Sequence, residues 1–479
     1  MWATEHSRRI FLLYSTTGLF LAGSLFLLID KNNYGLFVLP VVAVVLYYYL
    51  VSLDKVLLFI TFATPLAVNI SDAALGSSLS VPTEPMMMGI VMVFAVNLLF
   101  RNRYNPKLLT HPMAYLVYLY LFWMLVTMLT SSMPWVSLKH LLSRIWFVVP
   151  FFFVAASVFR KKQNIHRFYV LYLAALSIVV VYTLVRHAQY GFSEDAGHWV
   201  MTPFYNDHTA YGAALAMFIP VLAGFVVYPG ISLLKRILAL LFLGFFVVAI
   251  IFSYTRAAWL SLFAAIIVLF VVLARIKFRW LVFAVLLAGG TVFTFHQQII
   301  DRMEKNKQDS SSNFDKHLQS MSNISSDASN LERLNRWNAA LLMFDQRPWL
   351  GWGPGTYQFV YAPFQLARDR TVISTNTGDR GTAHSEYLGP LSEEGFPGLL
   401  IVLALFGYAI YLGLKLYRSE NREIRVLSLM TTLGLLTYMV HGFMNNFLST
   451  DKLSVPFWGF IAVLVALDVY RLEEPKKES

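Results

Sequence analysis

The sequence has no cysteine, which excludes disulfide bonds, zinc thiolate sites and thiol catalysis. Charge is also scarce, because only 14% of the residues are Asp, Glu, Lys or Arg, against about 25% in a typical soluble domain. Hydrophobic residues make up 57% of the chain, and the mean hydropathy is +0.58. These values exclude a soluble globular protein and predict a polytopic membrane protein.

Apolar windows long enough, or nearly long enough, to cross a hydrocarbon core of ~30 Å occur about fourteen times. Backbone polar groups in lipid must be satisfied internally, and no window alternates like a barrel strand, so we predict an all-α fold. The third and fourth windows are short enough to be re-entrant or tilted pieces, which gives about 12 to 14 transmembrane helices. The windows are 10–29, 34–52, 56–70, 86–100, 112–130, 145–159, 168–185, 210–228, 232–252, 257–274, 280–296, 396–414, 426–445 and 454–470.

Acidic residues are missing from the middle of these windows. All 27 of them fall in loops, tails or span ends, whereas a transporter that couples to protons or sodium usually keeps a carboxylate inside the membrane. No group of histidines and carboxylates has the spacing of a metal site, so no metal is predicted. The pattern favours an enzyme that works at the outer membrane surface on an anionic, membrane-held substrate.

The distribution of basic residues predicts the topology. Short loops rich in Lys and Arg stay on the cytoplasmic side, and most of the 38 basic residues fall in alternate segments once the N-terminus is placed inside. Both termini are then cytoplasmic, while Arg256, His384 and the long loop between them face the periplasm. The net charge of +11 follows from this asymmetry and indicates contact with membrane lipids, not with nucleic acid.

One polar segment divides the membrane part. We predict N-terminal transmembrane helices over 1–296, a helical periplasmic loop over 297–394, and C-terminal helices with a short cytoplasmic tail over 395–479. Within the loop, 306–330 is rich in Ser, Asn and Asp and is predicted to be flexible, whereas 331–368 is predicted to be helical. Apolar residues at spacings of three and four indicate an amphipathic helix near 331–346. The glycine cluster that follows is interpreted as a tight reversal, since it lacks the context of a phosphate loop.

Arg256 is the charge least easily explained by packing, because it lies between the apolar runs 237–254 and 257–274. A deeply inserted guanidinium costs about 2.5 to 3.5 kcal/mol, so an arginine kept there usually has an anion to bind. It can hold a phosphate through two parallel hydrogen bonds, which lysine does less well. The alternative is that Arg256 only snorkels to lipid phosphates.

His384 ends the outer loop just before a membrane window. A neutral imidazole is the usual group for taking the proton from an attacking hydroxyl, although a loop histidine can equally be an ordinary polar residue. Pro390 predicts that a helix carrying His384 is kinked or ends before it. Glu393 and Glu394 are interpreted as a polar helix entry.

Several weaker candidates lie at the outer ends of other spans. Each is also explained as an interfacial anchor or as a local structural residue. Arg144 and Arg186 are candidates for diphosphate binding, and the possible secondary residues are His198, Asn206, His208, Arg333, Glu386 and Tyr387.

Three groups of residues together give a resemblance to a known family. The sequence resembles the bacterial O-antigen ligase and O-antigen polymerase family, which are membrane glycosyltransferases of the GT-C type, and the likeness covers about 200–415. The matching residues are Thr255 to Trp259; Glu332, Arg333, Trp337, Asp345 and Pro348 with the turn Gly351 to Tyr357; and Ala383 to Leu388 with Glu394 and Gly395.

The resemblance implies transfer of a glycan from an undecaprenyl diphosphate carrier to an acceptor hydroxyl, with inversion and without metal, nucleotide or other cofactor. His384 would be the general base, and Arg256 would bind the diphosphate. The family has another arginine before the region matching Phe204 to Asn206. This sequence offers His198 at about that place and Arg186 further back, so the second phosphate ligand stays open.

The resemblance leaves three acceptors open. Lipid A core would make the protein an O-antigen ligase, which we favour; a carrier-linked glycan would make it a polymerase; and a protein side chain would make it an O-oligosaccharyltransferase. A transporter or flippase of lipid-linked glycan is the alternative of a different class, because it would share the number of spans and the basic clefts.

Overall fold

The computed structural model describes residues 44–72, 77–101, 104–276, 290, 328–366 and 381–470. The chain divides into two compact units, Met1–Val56 and Leu57–Ser479. In the first unit, the described residues include a helical stretch at 44–51. The helix α1, Leu53–Ala63, follows it.

Ten helices in the described ranges are long and apolar enough to cross a membrane. This confirms the predicted all-α polytopic fold. In chain order the helices and their continuations are α2 Thr83–Val96, extended by the π-helix Asn97–Arg101; the short α3 Pro106–Leu109; α4 Pro112–Leu129; α5 Pro134–Val148, continued by the π-helix Val149–Val154 and α6 Ala155–Val158; α7 Lys162–Ala188; the short α8 Glu194–Gly197; α9 His208–Val227; α10 Leu233–Ile251; α11 Arg256–Leu273; the loop helices α12 Ala328–Gln346 and α13 Tyr357–Val360, with a 3-10 turn Ala362–Phe364; α14 Leu388–Tyr417; α15 Arg422–His441; and α16 Asp451–Tyr470.

Some predicted segments lie outside the described residues. These are the window 10–29, most of 34–52, the window 280–296 apart from Gly290, and nearly all of the segment 306–330 that was predicted to be flexible. The helix predicted near 331–346 corresponds to α12.

The window 56–70 does not form a spanning helix, which agrees with the expectation that a window this short could be a re-entrant or tilted piece. α1 ends at Ala63, and a 3-10 turn leads into the antiparallel hairpin of β1 Val68–Asp72 and β2 Ser77–Val81. Pro65 has no backbone N–H to continue the helix. Hydropathy reports how apolar a segment is but not how its backbone is hydrogen-bonded, so it could not decide between a span and a shorter piece here.

α16 lies at the centre of the bundle. Of its spanning window 83% is buried, whereas only 17% of the window of α10 is buried. α9 and α15 pack beside α16, and Tyr172 of α7 stacks on Phe218 of α9 with ring centroids 4.4 Å apart. The window of α11 is also little buried, at 22%.

A buried polar network joins the start of α16 to the hairpin. Lys452 Nζ donates to the carbonyl oxygens of Thr64 at 2.5 Å and Ala67 at 2.6 Å. Asp451 accepts from Ser80 Oγ at 3.0 Å and from Thr83 Oγ1 at 2.7 Å. Burial of a charge is tolerated when it is paired and hydrogen-bonded, so this network is expected to hold the hairpin against the bundle.

Replacing Lys452 by methionine is expected to lower the thermal unfolding midpoint of the purified protein. The two carbonyls would lose their donor and Asp451 its positive neighbour, and breaking a buried pair in this way costs about 3 to 5 kcal/mol. The matched control is Lys415→Met, because Lys415 is 51% exposed in its pair with Asp468 and exposed pairs contribute about 0 to 1 kcal/mol. Equal, small shifts in both variants would contradict the proposed stabilisation.

α14 is broken at Gly395, where φ is 74° and ψ is −172°. Pro390 does not cause this break, because it lies in the first turn of α14, where its missing N–H costs nothing, and His384 lies before the helix begins. Phe396 N donates to Pro348 O at 2.8 Å across the break. The break therefore fixes the loop after α12 against the membrane bundle.

Candidate active site

His384 does not lie on a helix. It sits in the segment 381–387 before α14, half-buried, with a left-handed backbone at φ 47°. Thr382 Oγ1 donates to Asn446 Oδ1 at 2.6 Å, and Glu386 N donates to Gly442 O at 2.8 Å. The segment is thus held against the turn between α15 and α16.

The surroundings of His384 keep its imidazole neutral at pH 7. Burial, followed by the positive charges of Arg336 and Arg333, lowers the pKa of His384 to about 4. An unprotonated imidazole can accept a proton from a hydroxyl, as the role of general base requires.

Arg256 is the first residue of α11, and its side chain is partly exposed. Tyr254 has a left-handed backbone at φ 50°, which turns the chain sharply between α10 and α11. Thr255 Oγ1 donates to His208 O at 3.0 Å and so ties the start of α11 to the start of α9. The positive end of a helix adds to the charge of an arginine placed there, so this end of α11 suits an anion.

The two predicted catalytic residues lie at the same end of the bundle. The backbone of Ala257, next to Arg256, lies beside the ring of His441 at the end of α15. Gly442, the next residue, accepts the hydrogen bond from Glu386, two residues after His384. The end of α15 thus connects the start of α11 with the segment that carries His384.

The start of α9 adds two further imidazoles to this end. The rings of His198 and His208 lie 4.4 Å apart, centroid to centroid, and His208 Nδ1 is 3.4 Å from Asp207 Oδ1. Asn206 is exposed beside them. Among the described residues, no three His, Asp or Glu side chains are grouped so that they could hold a metal ion.

The loop helix α12 brings arginines to His384. Arg333, predicted as a secondary residue, acts electrostatically on His384 and His208. Arg336 was not predicted; its Nε donates to Glu332 Oε1 at 2.8 Å. Its Nη1 also donates to the carbonyl of Thr382 at 3.2 Å. The spacing of four residues between Glu332 and Arg336 is the sequence signal that could have identified this pair.

Arg144 is buried inside the bundle. Its Nη1 donates to Leu448 O, its Nε lies 3.3 Å from His140 Nε2, and the Glu386 carboxylate lies within its field. This placement favours neutralisation of buried carboxylates over the predicted contact with diphosphate.

Arg186 organises the loop before α9. Its Nη1 donates to Thr202 O at 2.7 Å and to Tyr182 OH at 3.1 Å, and its guanidinium stacks 4.9 Å from the ring centre of Trp199. These contacts hold the loop that presents His198. A direct role in diphosphate binding remains a prediction.

The side chains of Glu386 and Tyr387 pack inside the helical bundle. Glu386 is buried, and Tyr387 OH donates to Met439 O at 2.8 Å while its ring stacks on Phe443 at 4.3 Å. Burial raises the pKa of Tyr387. Both side chains fix the segment of His384.

The sequence suggested that Glu393 is part of a polar helix entry, and the structure contradicts this. Its carboxylate is turned inward and accepts from Gly355 N and Tyr357 N, each at 2.9 Å. Gly353 N donates to the Glu393 carbonyl at 2.8 Å, so the glycine turn docks on α14. Glu394 is also buried, and its carbonyl accepts from Trp123 Nε1 at 2.9 Å.

Replacing Glu393 by glutamine is expected to loosen this turn. An amide side chain has one acceptor oxygen, so either Gly355 or Tyr357 would face its NH2 group. A hydrogen bond to a charged group contributes about 1.5 to 3 kcal/mol, so exchange at these amides should become at least about tenfold faster. Hydrogen–deuterium exchange measures this, with the amides of α16 as the internal reference; unchanged exchange at the turn would contradict the role of Glu393.

Part of the chain matches the model of a known protein family. Residues 238–403 match the family model described as O-antigen ligase, and this segment contains both Arg256 and His384. No curated protein matches the chain. The family match indicates an enzyme of the glycosyltransferase type that carries out glycan transfer of the ligase or polymerase kind. The resemblance seen in the sequence is therefore confirmed over 238–403, and the segment of this multi-pass membrane protein that carries Arg256 and His384 is similar to the O-antigen ligase family.

Proposed function

We propose that this protein transfers a glycan from undecaprenyl diphosphate to an acceptor hydroxyl at the periplasmic face of the bacterial inner membrane. The observation that carries the proposal is the joining of the Arg256 and His384 segments at the end of α15, within the O-antigen ligase domain. An arginine at a helix start and a neutral imidazole are the two groups that such a transfer needs from the protein.

The first step concerns the acceptor. His384 takes the proton of the acceptor hydroxyl while the hydroxyl oxygen attacks the anomeric carbon of the donor from the side opposite the diphosphate. The pKa of His384, lowered to about 4 by burial and by Arg336 and Arg333, leaves the ring unprotonated and ready. The configuration at the anomeric carbon is inverted, and the imidazolium returns its proton to water.

The second requirement concerns the leaving group. As the bond between the anomeric carbon and the phosphate oxygen breaks, negative charge grows on undecaprenyl diphosphate. Arg256 and the positive end of α11 stabilise that charge, and fixed donors of this kind typically contribute about 10² to 10³ in rate. Arg186 and Arg144 remain candidates for a second contact with the diphosphate, although their observed bonds favour structural roles.

Lipid A core is the acceptor that we favour, because the matching family model is that of O-antigen ligase. A carrier-linked glycan or a protein side chain would use the same base and the same leaving group. A flippase of lipid-linked glycan would need neither a base nor an acceptor.

Reconstitution with purified protein tests the proposal. The full chain in detergent is incubated with a synthetic undecaprenyl-diphosphate-linked glycan and, separately, with lipid A core, a second carrier-linked glycan and an acceptor protein. Product with lipid A core is expected. Product with only one of the other acceptors reassigns the acceptor, and no product with any of them, together with lipid translocation in vesicles, identifies a flippase.

A further inference from the structure

The backbone of His384 is held in a costly conformation. A residue other than glycine rarely adopts the left-handed region and persists there only where its surroundings enforce it. His384 has φ 47°, and its own N–H is 3.4 Å from Thr382 Oγ1. Other contacts of the segment 382–387 must therefore impose this geometry.

Those contacts are concentrated on one element, the segment 438–448 that ends α15 and leads to α16. Residues of the segment 382–387 on both sides of His384 form hydrogen bonds with the segment 438–448. The bonds run from Thr382 Oγ1 to Asn446 Oδ1 at 2.6 Å, from Glu386 N to Gly442 O at 2.8 Å, and from Tyr387 OH to Met439 O at 2.8 Å.

Glu386 makes the most connections. Its Oε1 accepts from Tyr438 OH at 2.6 Å and from Leu448 N at 2.9 Å. Tyr438 OH in turn accepts from Phe447 N at 3.1 Å. The Glu386 side chain is thus bonded to both ends of the segment 438–448. Arg144 donates to Leu448 O and lies within the field of the Glu386 carboxylate. Burial raises the pKa of Glu386, while the charge of Arg144 and the bonds from Tyr438, Leu448 and Phe447 oppose that rise.

We propose that Glu386, clamped by Tyr438 and the backbone of Leu448, is the positioning residue for His384. Resting on the proposed function, this inference assigns Glu386 no proton transfer. The carboxylate is buried, at 6% exposure, and its Oε1 already accepts two hydrogen bonds. It acts through the backbone, by holding the segment 382–387 so that the His384 imidazole faces the acceptor.

Three variants separate positioning from chemistry. Glu386→Gln keeps an oxygen that can accept both bonds, so its kcat is expected to stay within about threefold of the parent. Glu386→Ala removes the clamp, and a shift of about 1 Å in a catalytic group can cost about 10²-fold; Tyr438→Phe, which removes one bond, should lose about 10-fold. Tyr411→Phe is the control, because Tyr411 is 59% exposed on α14.

The pH dependence of kcat is the readout that a loss of stability alone would not move. The charged groups that face His384 are Arg333, Arg336 and Glu332 of α12 and Asp207 before α9. When the clamp loosens, the ring gains water and the acidic limb should move from about pH 4 toward the ordinary value of about 6.5. The inference would be overturned if Tyr438→Phe and Glu386→Ala had the same kcat and the same acidic limb of the pH profile as the parent. So would a Glu386→Gln variant as inactive as Glu386→Ala, since the charge itself would then be required.

Labelling with diethyl pyrocarbonate separates this inference from the proposed function. The reagent modifies unprotonated imidazole, and the rate at His384 is read by mass spectrometry without any transfer assay. Faster labelling is expected in Glu386→Ala and Tyr438→Phe than in the parent and in Tyr411→Phe. If the parent transfers no glycan but labelling accelerates, the proposed function fails and the clamp stands; if the parent transfers glycan and labelling is unchanged, the clamp fails.

Discussion

Replacing His384 by alanine is expected to lower the rate of glycan transfer by about 10³ or more. General bases contribute about 10² to 10⁴ to a rate, and the alanine side chain cannot take the hydroxyl proton. His384→Gln should be equally inactive, because an amide can donate and accept hydrogen bonds but cannot act as a base near pH 7. The measurement is turnover of a carrier-linked donor by purified protein, with the thermal midpoint showing that the variant is folded.

The pH profile of the parent adds a second test. A general base works when it is deprotonated, so activity falls as pH drops through its pKa. Burial and the charges of Arg336 and Arg333 lower the pKa of His384 to about 4, so the rate should stay level from pH 8 down to about pH 5 and fall only below that. An acidic limb near 6.5 would show instead that the active base is a solvent-exposed imidazole.

A matched histidine serves as the control for both tests. His166 lies near the start of α7, where its Nδ1 is 3.1 Å from Lys162 O, on the side predicted to be cytoplasmic. His166→Gln should leave turnover and the acidic limb unchanged. Near-parental transfer by His384→Ala would show that His384 is not the base. Equal losses in His384→Ala and His166→Gln would indicate damage to the fold.

Hydropathy predicted most of the long helices of the molecule. Ten of the predicted windows correspond to helices in the described ranges, because the cost of leaving polar backbone groups in lipid leaves few alternatives to a helix. The window 56–70 stayed open because Pro65 and the hairpin after it depend on backbone hydrogen bonding, which composition does not record.

The sequence singled out the two residues of the proposed site but not the residues that hold them in place. Arg256 and His384 stand out because a charge at a lipid boundary and an imidazole before a span are locally unusual. Tyr438 and Asn446 do not stand out, since their roles come from contacts with Glu386 and Thr382, more than fifty residues away. Glu393 was misread for the same reason, because its partners Gly355 and Tyr357 belong to another element. Long-range partners of this kind follow from packing and not from local pattern.

Replacing Arg256 by alanine is expected to lower turnover by about 10² to 10³, which corresponds to about 2.7 to 4 kcal/mol of lost stabilisation of the leaving diphosphate. Arg256→Lys should recover only part of the rate, because an ammonium is a point charge and cannot make two parallel bonds to one phosphate. Guanidinium ion added to Arg256→Ala should restore some turnover, whereas methylammonium should restore less. Each rate is measured with saturating donor, so that the loss is read in kcat and not only in binding.

These variants also decide between the two interpretations of Arg256 that the sequence left open. If the side chain only snorkels to lipid phosphates, lysine does so equally well, and Arg256→Lys should keep full activity. Arg236 provides the control, since it is exposed near the start of α10, which is predicted to be cytoplasmic; Arg236→Lys keeps the charge that sets topology and should transfer glycan at the parental rate. Full activity in Arg256→Lys would therefore show that the guanidinium only contacts lipid phosphates. The developing charge on the diphosphate would then be stabilised by the positive end of α11 and by other cations.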